Sequence, residues 1–177
     1  MKDNNSNLST YAERLLKQVM DNSEATDWDN AVLEWDITAW DEDDELKTSC
    51  LCGKENLRYL FTITNRENGN ELEPIGSQCI KKFEREDLNE ETAIFEKLFK
   101  LQAALSSNKY IGLSSDFFSR KLLDYFYEQN VFNYNDLVFL KKMFNKRDKS
   151  KITSNQQKKI NFHIIGQIIP YLRTILS

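Results

Sequence analysis

Hydrophobic residues follow two different periods along the first half of the chain. Within residues 10–21 they recur at the three- and four-residue spacing of an amphipathic helix, and Thr10 with Glu13 forms the pattern of a capping box at its start. Residues 31–40 instead alternate between apolar and polar positions, as in a strand with one buried face. The pattern therefore predicts a helix from about Thr10 and then a strand.

A β-hairpin is predicted within residues 57–75. The run Leu57–Thr64 is followed by Asn68 and Gly69, a dipeptide that accepts the positive φ values of a tight turn, and then by a shorter return strand. Pro74 in that strand has no N–H to donate, so the strand is expected at an edge of the sheet. Ser77 is expected to cap a short helix immediately afterwards.

The second half of the chain keeps the helical period throughout. Polar residues suited to capping precede each apolar stripe, and a glycine and a proline in the last stripe predict a bend. Helices are expected over 90–106 after Asn89, after Ser114 or Ser115, after Asn135, and from Ser154 with the bend at Gly166 and Pro170.

These segments predict an α+β protein. An N-terminal helix and a small antiparallel sheet with the hairpin would occupy residues 1–86, and a C-terminal helical bundle of four helices would occupy residues 87–177. With 177 residues and 40% hydrophobic residues, the two parts can also form one continuous domain.

All three cysteines lie around the hairpin, and their order resembles the outline of a treble-clef zinc site. Cys50 and Cys52 precede the hairpin, and Cys79 falls in the first turn of the helix after it, where the helix dipole would favour a thiolate. A structural zinc site needs four ligands, but Lys82 stands where a fourth cysteine would be expected and His163 is far along the chain. We therefore expect a metal-free relic and no cofactor, with zinc at the three cysteines as the alternative.

Charge is distributed unevenly although the net charge is only −4. Residues 1–50 contain thirteen acidic and four basic residues, whereas residues 141–159 contain eight basic and one acidic residue. Such asymmetry bears on binding partners rather than on fold. The acidic candidates for partner binding are consecutive: Asp41, Glu42, Asp43, Asp44 and Glu45.

Each charged segment allows a functional and a neutral interpretation. The acidic run could imitate phosphates in front of a basic nucleic-acid channel, or could be a solvated connector. The basic segment could contact RNA or other phosphates, or could be a solvated face that balances the acidic half. Its candidate contact residues are Lys146, Arg147, Lys149 and Lys151. Binding to free duplex DNA is not expected, because the net charge opposes approach to a polyanion.

Two resemblances bear on function. The run CxCG, the turn at Asn68 and Gly69, and the run IGSQCIKKF resemble a segment of small phage and mobile-element proteins from AT-rich Gram-positive bacteria. The Lys- and Asn-rich composition, the acidic front half and the small size resemble type II anti-CRISPR proteins. This second resemblance implies a protein inhibitor acting in the cytoplasm of a bacterial host, with the nuclease Cas9 and its guide RNA as partner. It identifies no binding residue.

The sequence contains little that supports catalysis. It has a single histidine, and it lacks the motifs of serine hydrolases, phosphate-binding loops and zinc proteases. We name no catalytic residue and do not expect an enzyme. A Mg²⁺- or thiol-dependent enzyme is the third hypothesis, after the inhibitor and a nucleic-acid-binding module. The stronger alternative is a nucleic-acid-binding module of a mobile element that uses residues 141–159. No apolar run is long enough for a membrane span, so no membrane partner is expected.

Overall fold

The computed structural model describes the backbone of residues 4–176 and the side chains of residues 10–176. The chain forms two compact units, residues 1–92 and residues 93–177. The first contains helices and a three-stranded antiparallel sheet with a hairpin, and the second is helical. The α+β class predicted from the sequence is therefore confirmed.

The first unit begins with helix α1 and ends within helix α4. Its sheet is formed by three strands that follow a pair of short helical turns. The elements are α1 (Asn4–Asp21), α2 (Trp28–Ala31), a 3₁₀ helix (Val32–Glu34), β1 (Trp35–Glu42), β2 (Tyr59–Asn65), β3 (Glu71–Ile75), α3 (Ser77–Lys81) and the start of α4 (Glu86–Ser106).

Two boundaries in this unit differ from the prediction. Helix α1 begins at Asn4 and not at Thr10. The segment before β1 is helical because the Asp27 carboxylate accepts a hydrogen bond from the Asn30 amide at 3.0 Å and so caps α2. The predicted strand therefore starts late, at Trp35, and continues into the acidic run as far as Glu42.

The hairpin lies where the sequence placed it. Strand β2 is central, with β1 and β3 paired antiparallel on its two sides, so the strand that contains Pro74 is an edge strand as predicted. Gly69 has a φ of +77°, the conformation that favoured glycine in the turn. A register shift after Ile37 turns Ala39 outward, so the alternation of β1 does not persist.

A buried carboxylate joins the separate parts of the first unit. Glu34 is 8% exposed and accepts hydrogen bonds from the backbone amides of Glu24 at 2.9 Å and Ala25 at 2.7 Å. It also accepts one from the side-chain amide of Asn65 at 2.6 Å. Burial alone would raise the pKa of Glu34, but these three donors together hold the pKa below its ordinary value.

The Arg85 guanidinium fixes the start of β1 to the segment before α4. It donates to the backbone carbonyls of Val32 and Trp35, and it pairs with Asp36 at 3.3 Å and with Asp87 at 2.7 Å. Only 13% of the Arg85 side chain is exposed. The planar guanidinium suits this role, because its several N–H groups can donate to more than one acceptor at once.

Within the described residues, the second unit contains the rest of α4, four further α-helices and two short helical turns. They are α5 (Arg120–Glu128), α6 (Tyr134–Phe144), α7 (Ser154–His163) and α8 (Ile169–Ile175), with a π-helical turn (Ile164–Ile168) between the last two and a 3₁₀ turn (Lys149–Lys151) before α7. Large buried side chains form its core, among them Leu98, Phe118, Leu122, Phe126, Leu140 and Leu172.

The caps in the second unit lie near the predicted ones but not on them. Asn133 caps α6 in place of Asn135, and Thr153 caps α7 in place of Ser154, forming a capping box with Gln156. Ser119 caps α5, because residues 114–118 form a turn instead of helix. Helix α4 begins at Glu86, ahead of the predicted Asn89.

The predicted bend in the last helix corresponds to the π-helical turn. This turn includes Gly166 and directly precedes α8, in which Pro170 is the second residue. Proline cannot donate to the preceding turn, and widened turns of this kind are a usual accompaniment. None of the helices in the described part of the chain has both the length and the hydropathy required to cross a bilayer.

We predict that Glu34→Gln lowers the free energy of unfolding at pH 7 by about 2 kcal/mol, since the buried NH2 group of Gln would face a backbone N–H donor that it cannot accept from. The folded pKa of Glu34 lies below the unfolded value of about 4.3. Its contribution is therefore complete at neutral pH and is lost as the pH falls through the folded pKa. Thermal unfolding measured from pH 3 to pH 7 should show a smaller difference between wild type and variant at the acidic end.

The exposed Glu71→Gln variant is the matched control for this measurement and should follow the wild type. A constant difference between wild type and Glu34→Gln across this pH range would contradict the assigned role of the carboxylate.

Candidate functional site

A tight turn brings Cys50 and Cys52 together ahead of the hairpin. The Cys50 amide donates to the Lys54 carbonyl at 2.8 Å, and the Gly53 amide donates to the Cys50 carbonyl at 2.8 Å. Gly53 has a φ of +97°, in the region that side chains disfavour. The glycine of the CxCG run thus permits the reversal that points both thiols to one side.

Cys79 reaches the same place from α3. Gly76 and not Ser77 occupies the cap position of this five-residue helix, and this cap makes no side-chain hydrogen bond, so the predicted serine cap is wrong. Cys79 lies in the first turn, as the sequence indicated. The Leu51 amide also donates to the Pro74 carbonyl at 2.9 Å, which ties the cysteine turn to the end of β3.

The three thiols form a buried cluster, named here the thiol cluster (Cys50, Cys52 and Cys79). Their sulfur atoms all lie within 4.8 Å of one another, and the Cys50 and Cys79 sulfurs are 3.7 Å apart. The Gly76 amide donates to the Cys50 sulfur at 3.4 Å. All three side chains are buried and none is in a disulfide.

Cys50 and Cys79 shift each other's pKa. The hydrogen bond with the Cys79 thiol, opposed by burial and assisted by the backbone amides of Cys52 and Gly76, lowers the pKa of Cys50 to about 5. The same hydrogen bond and burial raise the pKa of Cys79. The hydrogen bond within the pair thus shifts the two pKa values in opposite directions.

The distant histidine has partners of its own in the second unit. His163 is 1% exposed, lies edge-on to the rings of Phe132 and Phe162, and has its Nδ1 atom 2.5 Å from Oε1 of Gln167. Its Nε2 atom is 3.5 Å from a carboxylate oxygen of Asp136. Within the described residues the thiol cluster includes neither histidine nor carboxylate.

The acidic run is divided between the end of β1 and a turn. Asp41 and Glu42 belong to the strand, and the carboxylate of Asp43 organises the turn. Asp43 accepts hydrogen bonds from the amides of Glu45, Lys47 and Thr48 and, at 2.6 Å, from the Thr48 hydroxyl. These bonds, that of the Thr48 hydroxyl first, lower the pKa of Asp43. The run is therefore an ordered feature, formed by the end of a strand and a turn.

Nearby cations balance part of the acidic run. Arg58 on the neighbouring segment pairs with Glu42 at 2.9 Å and with Asp44 at 3.2 Å, and Glu45 pairs with Lys47. The Glu42 side chain is only 15% exposed, whereas that of Asp44 is 79% exposed. Asp41, Asp44 and Glu45 are thus the members of the run that face solvent most openly.

Two of the four predicted cations in the basic segment have structural roles. The Lys149 ammonium donates to the carbonyls of Met143 at 2.8 Å and Phe144 at 2.6 Å, which closes the end of α6, and the Lys146 ammonium donates to the Lys151 carbonyl. Burial lowers the pKa of Lys149. Arg147 and Lys151 have exposed side chains and remain available to an outside partner.

A shallow groove on the sheet was not anticipated from the sequence. It has a volume of about 420 Å³ and lies beside the acidic run, with Trp40, Leu60 and Pro74 among its apolar lining. Asp41 and Glu73 supply carboxylates to the same lining. The signal for it was Trp40, which interrupts the polar side of β1 directly before the acids.

Comparison with known proteins identified no relative. No protein-family model matches the chain, and no significant match was found among curated proteins or among solved structures.

We predict that Asp43→Ala lowers the melting temperature clearly, because four donors in residues 45–48 lose their common acceptor. Asp44→Asn should leave the melting temperature nearly unchanged, since an exposed ion pair contributes little. Thermal unfolding of both variants at pH 7 and moderate salt makes the comparison. Equal melting temperatures for the two variants would show that Asp43 does not organise the turn.

Proposed function

We propose that the chain is a protein inhibitor that binds a bacterial nucleic-acid enzyme, and that it uses opposite charges on its two units. One observation carries the proposal. Residues 1–92 contain 10 basic and 22 acidic residues, a net charge of −12, whereas residues 93–177 contain 14 basic and 6 acidic residues, a net charge of +8. Each compact unit therefore carries a strong field of its own sign.

The acidic unit suits a basic protein surface. Asp41, Asp44 and Glu45 project from an ordered strand and turn, so their spacing is fixed before binding. The groove beside them adds apolar area next to the charge. Fixed carboxylates beside an aromatic ring match the arginine- and lysine-lined channels in which enzymes hold nucleic acid, and complementary charge accelerates the encounter.

The partner follows from the resemblance to type II anti-CRISPR proteins, which implies Cas9 with its guide RNA in the cytoplasm of the bacterial host. In this proposal the acidic unit contacts the protein, and the exposed Arg147 and Lys151 contact phosphates of the guide RNA. No catalytic step is assigned to the chain, because inhibition of this kind requires binding alone.

The second candidate is a nucleic-acid-binding module that uses residues 141–159. The net charge of +8 on the second unit favours it. Against it, Lys149 and Lys146 bond to backbone carbonyls, and Lys141 and Lys159 face Asp124 and Asp136. Few cations are then left to contact phosphates together, and we rank this function second.

We predict that replacing Asp41, Asp44 and Glu45 together by Asn, Asn and Gln weakens inhibition of DNA cleavage by a Cas9–guide RNA complex about tenfold or more. The loss should come mainly from slower association and should shrink as salt is added. Asp43 is left in place because it holds the turn. The matched control replaces Glu55, Glu67 and Glu71 by Gln, which removes the same charge from exposed positions of the same unit. Equal potency of the two variants would refute the assigned acidic surface.

We further predict that Arg147→Gln with Lys151→Gln lowers the affinity for the guide-loaded enzyme and reduces the salt dependence of binding by about one power of salt concentration for each lost phosphate contact. Exposed lysines Lys100 and Lys109, changed to Gln, are the control pair. Capture of partners from a bacterial lysate, with and without nuclease treatment, distinguishes the two candidate functions. An inhibitor keeps its protein partner after nucleic acid is removed, whereas tight binding of the wild type to bare nucleic acid would place the second candidate first.

A further inference from the structure

We propose that the thiol cluster is a zinc site with three protein ligands and one position open to an outside ligand. The proposal is independent of the inhibitor function. The ligand count from the sequence led us to expect a metal-free relic, because three cysteines do not complete a tetrahedron. The positions of the sulfur atoms supply information that this count did not contain.

The separation of the Cys50 and Cys79 sulfurs is the one that a tetrahedral metal requires. With a Zn–S bond of about 2.3 Å, tetrahedral geometry places two sulfur ligands about 3.8 Å apart. The Cys50 and Cys79 sulfurs are 3.7 Å apart, and all three sulfurs lie within 4.8 Å. Side chains from two separate segments, residues 50–52 and α3, therefore converge with little adjustment left to make.

The backbone around the sulfurs suits metal-bound thiolates. The Gly76 amide points at the Cys50 sulfur at 3.4 Å, and such a donor stabilises negative charge on a ligand and fixes its orientation. The turn that carries Cys50 and Cys52 is closed by two backbone hydrogen bonds of 2.8 Å. The ligands are thus held by their own supporting bonds before any metal arrives.

A cavity adjoins two of the three cysteines and offers room for a fourth ligand. A space of about 160 Å³ is lined by Cys50 and Cys79 together with Lys54, Ser77 and Gln78. It is large enough for water or a small anion to complete the coordination sphere. An open position of this kind distinguishes the site from a closed four-cysteine site. Zinc binding displaces the remaining thiol protons to solvent, so affinity must rise with pH.

The test begins with elemental analysis of the full chain purified under reducing conditions without chelator. We expect about one zinc ion per chain and, after chelation, recovery of one ion on titration with Zn²⁺. Co²⁺ should give the charge-transfer absorption of thiolate ligands together with the visible bands of a tetrahedral ion, and its affinity should rise with pH. Zinc content well below one per chain, combined with no Zn²⁺ or Co²⁺ binding by the reduced protein, would overturn the proposal.

Variants then assign the ligands. Cys52→Ser should reduce the bound zinc well below one per chain, whereas Ser77→Ala and Gln78→Ala, which change the cavity and not the thiols, should keep it. Because a cysteine variant could fail to fold, the rate of thiol alkylation in the native wild type provides a second measurement. Alkylation of the three buried thiols should be much slower with zinc bound than after chelation. Full reactivity of all three thiols in the presence of zinc would exclude them as ligands.

Discussion

The first unit depends on the hydrogen bonds of Glu34. This carboxylate is buried at the end of a 3₁₀ turn, where it accepts from the segment after α1 and from Asn65 at the end of β2. Asn65 in turn accepts from the amides of Glu67 and Asn68 in the hairpin turn. One anion thus links the first helix, the entry to β1 and the hairpin. Its burial is favourable only because each oxygen has donors.

Other carboxylates are also paired within the fold, so the surface presents less negative charge than the composition indicates. Asp43 is committed to its turn, Glu42 and Asp44 share Arg58, and Asp36 and Asp87 share Arg85. In the second unit Lys149 closes a helix end. A binding partner therefore meets only the charged side chains that remain exposed. For this reason particular residues of each charged segment, and not the whole segment, are candidates for contact.

The sequence predicted the fold class and the hairpin because their signals are local. Asn68 with Gly69 and the proline in β3 act within a few residues, and the structure follows them. The role of Glu34 could not be read in this way. Alternation suggested that Glu34 faced solvent on a strand, but its donors lie about ten and thirty-one residues away in the chain. The helix caps were shifted by one to a few residues, because neighbouring Asn, Ser and Thr residues compete for the same position.

In the candidate sites, too, local features could be predicted from the sequence and contacts between distant residues could not. The spacing of the cysteines indicated that they would meet, but not how far apart their sulfur atoms would lie. The functions of Lys149 and Asp43 within the fold were also hidden, since both bond to backbone groups that carry no sequence signature. The groove beside Trp40 arises from pairing between strands, and its one local signal is the position of that tryptophan on the polar side of β1.

Strand β1 is an outer strand of the sheet, and this has a consequence for self-association. Outer strands present unpaired backbone groups to any other strand, which is the common route to edge-to-edge aggregation. Near its beginning, β1 has its Trp35 carbonyl covered by the Arg85 guanidinium. Near its end it carries Asp41 and Glu42, and charged side chains on an outer strand disfavour such pairing. The charged end and the covered carbonyl are thus both features that oppose pairing of this edge with another strand.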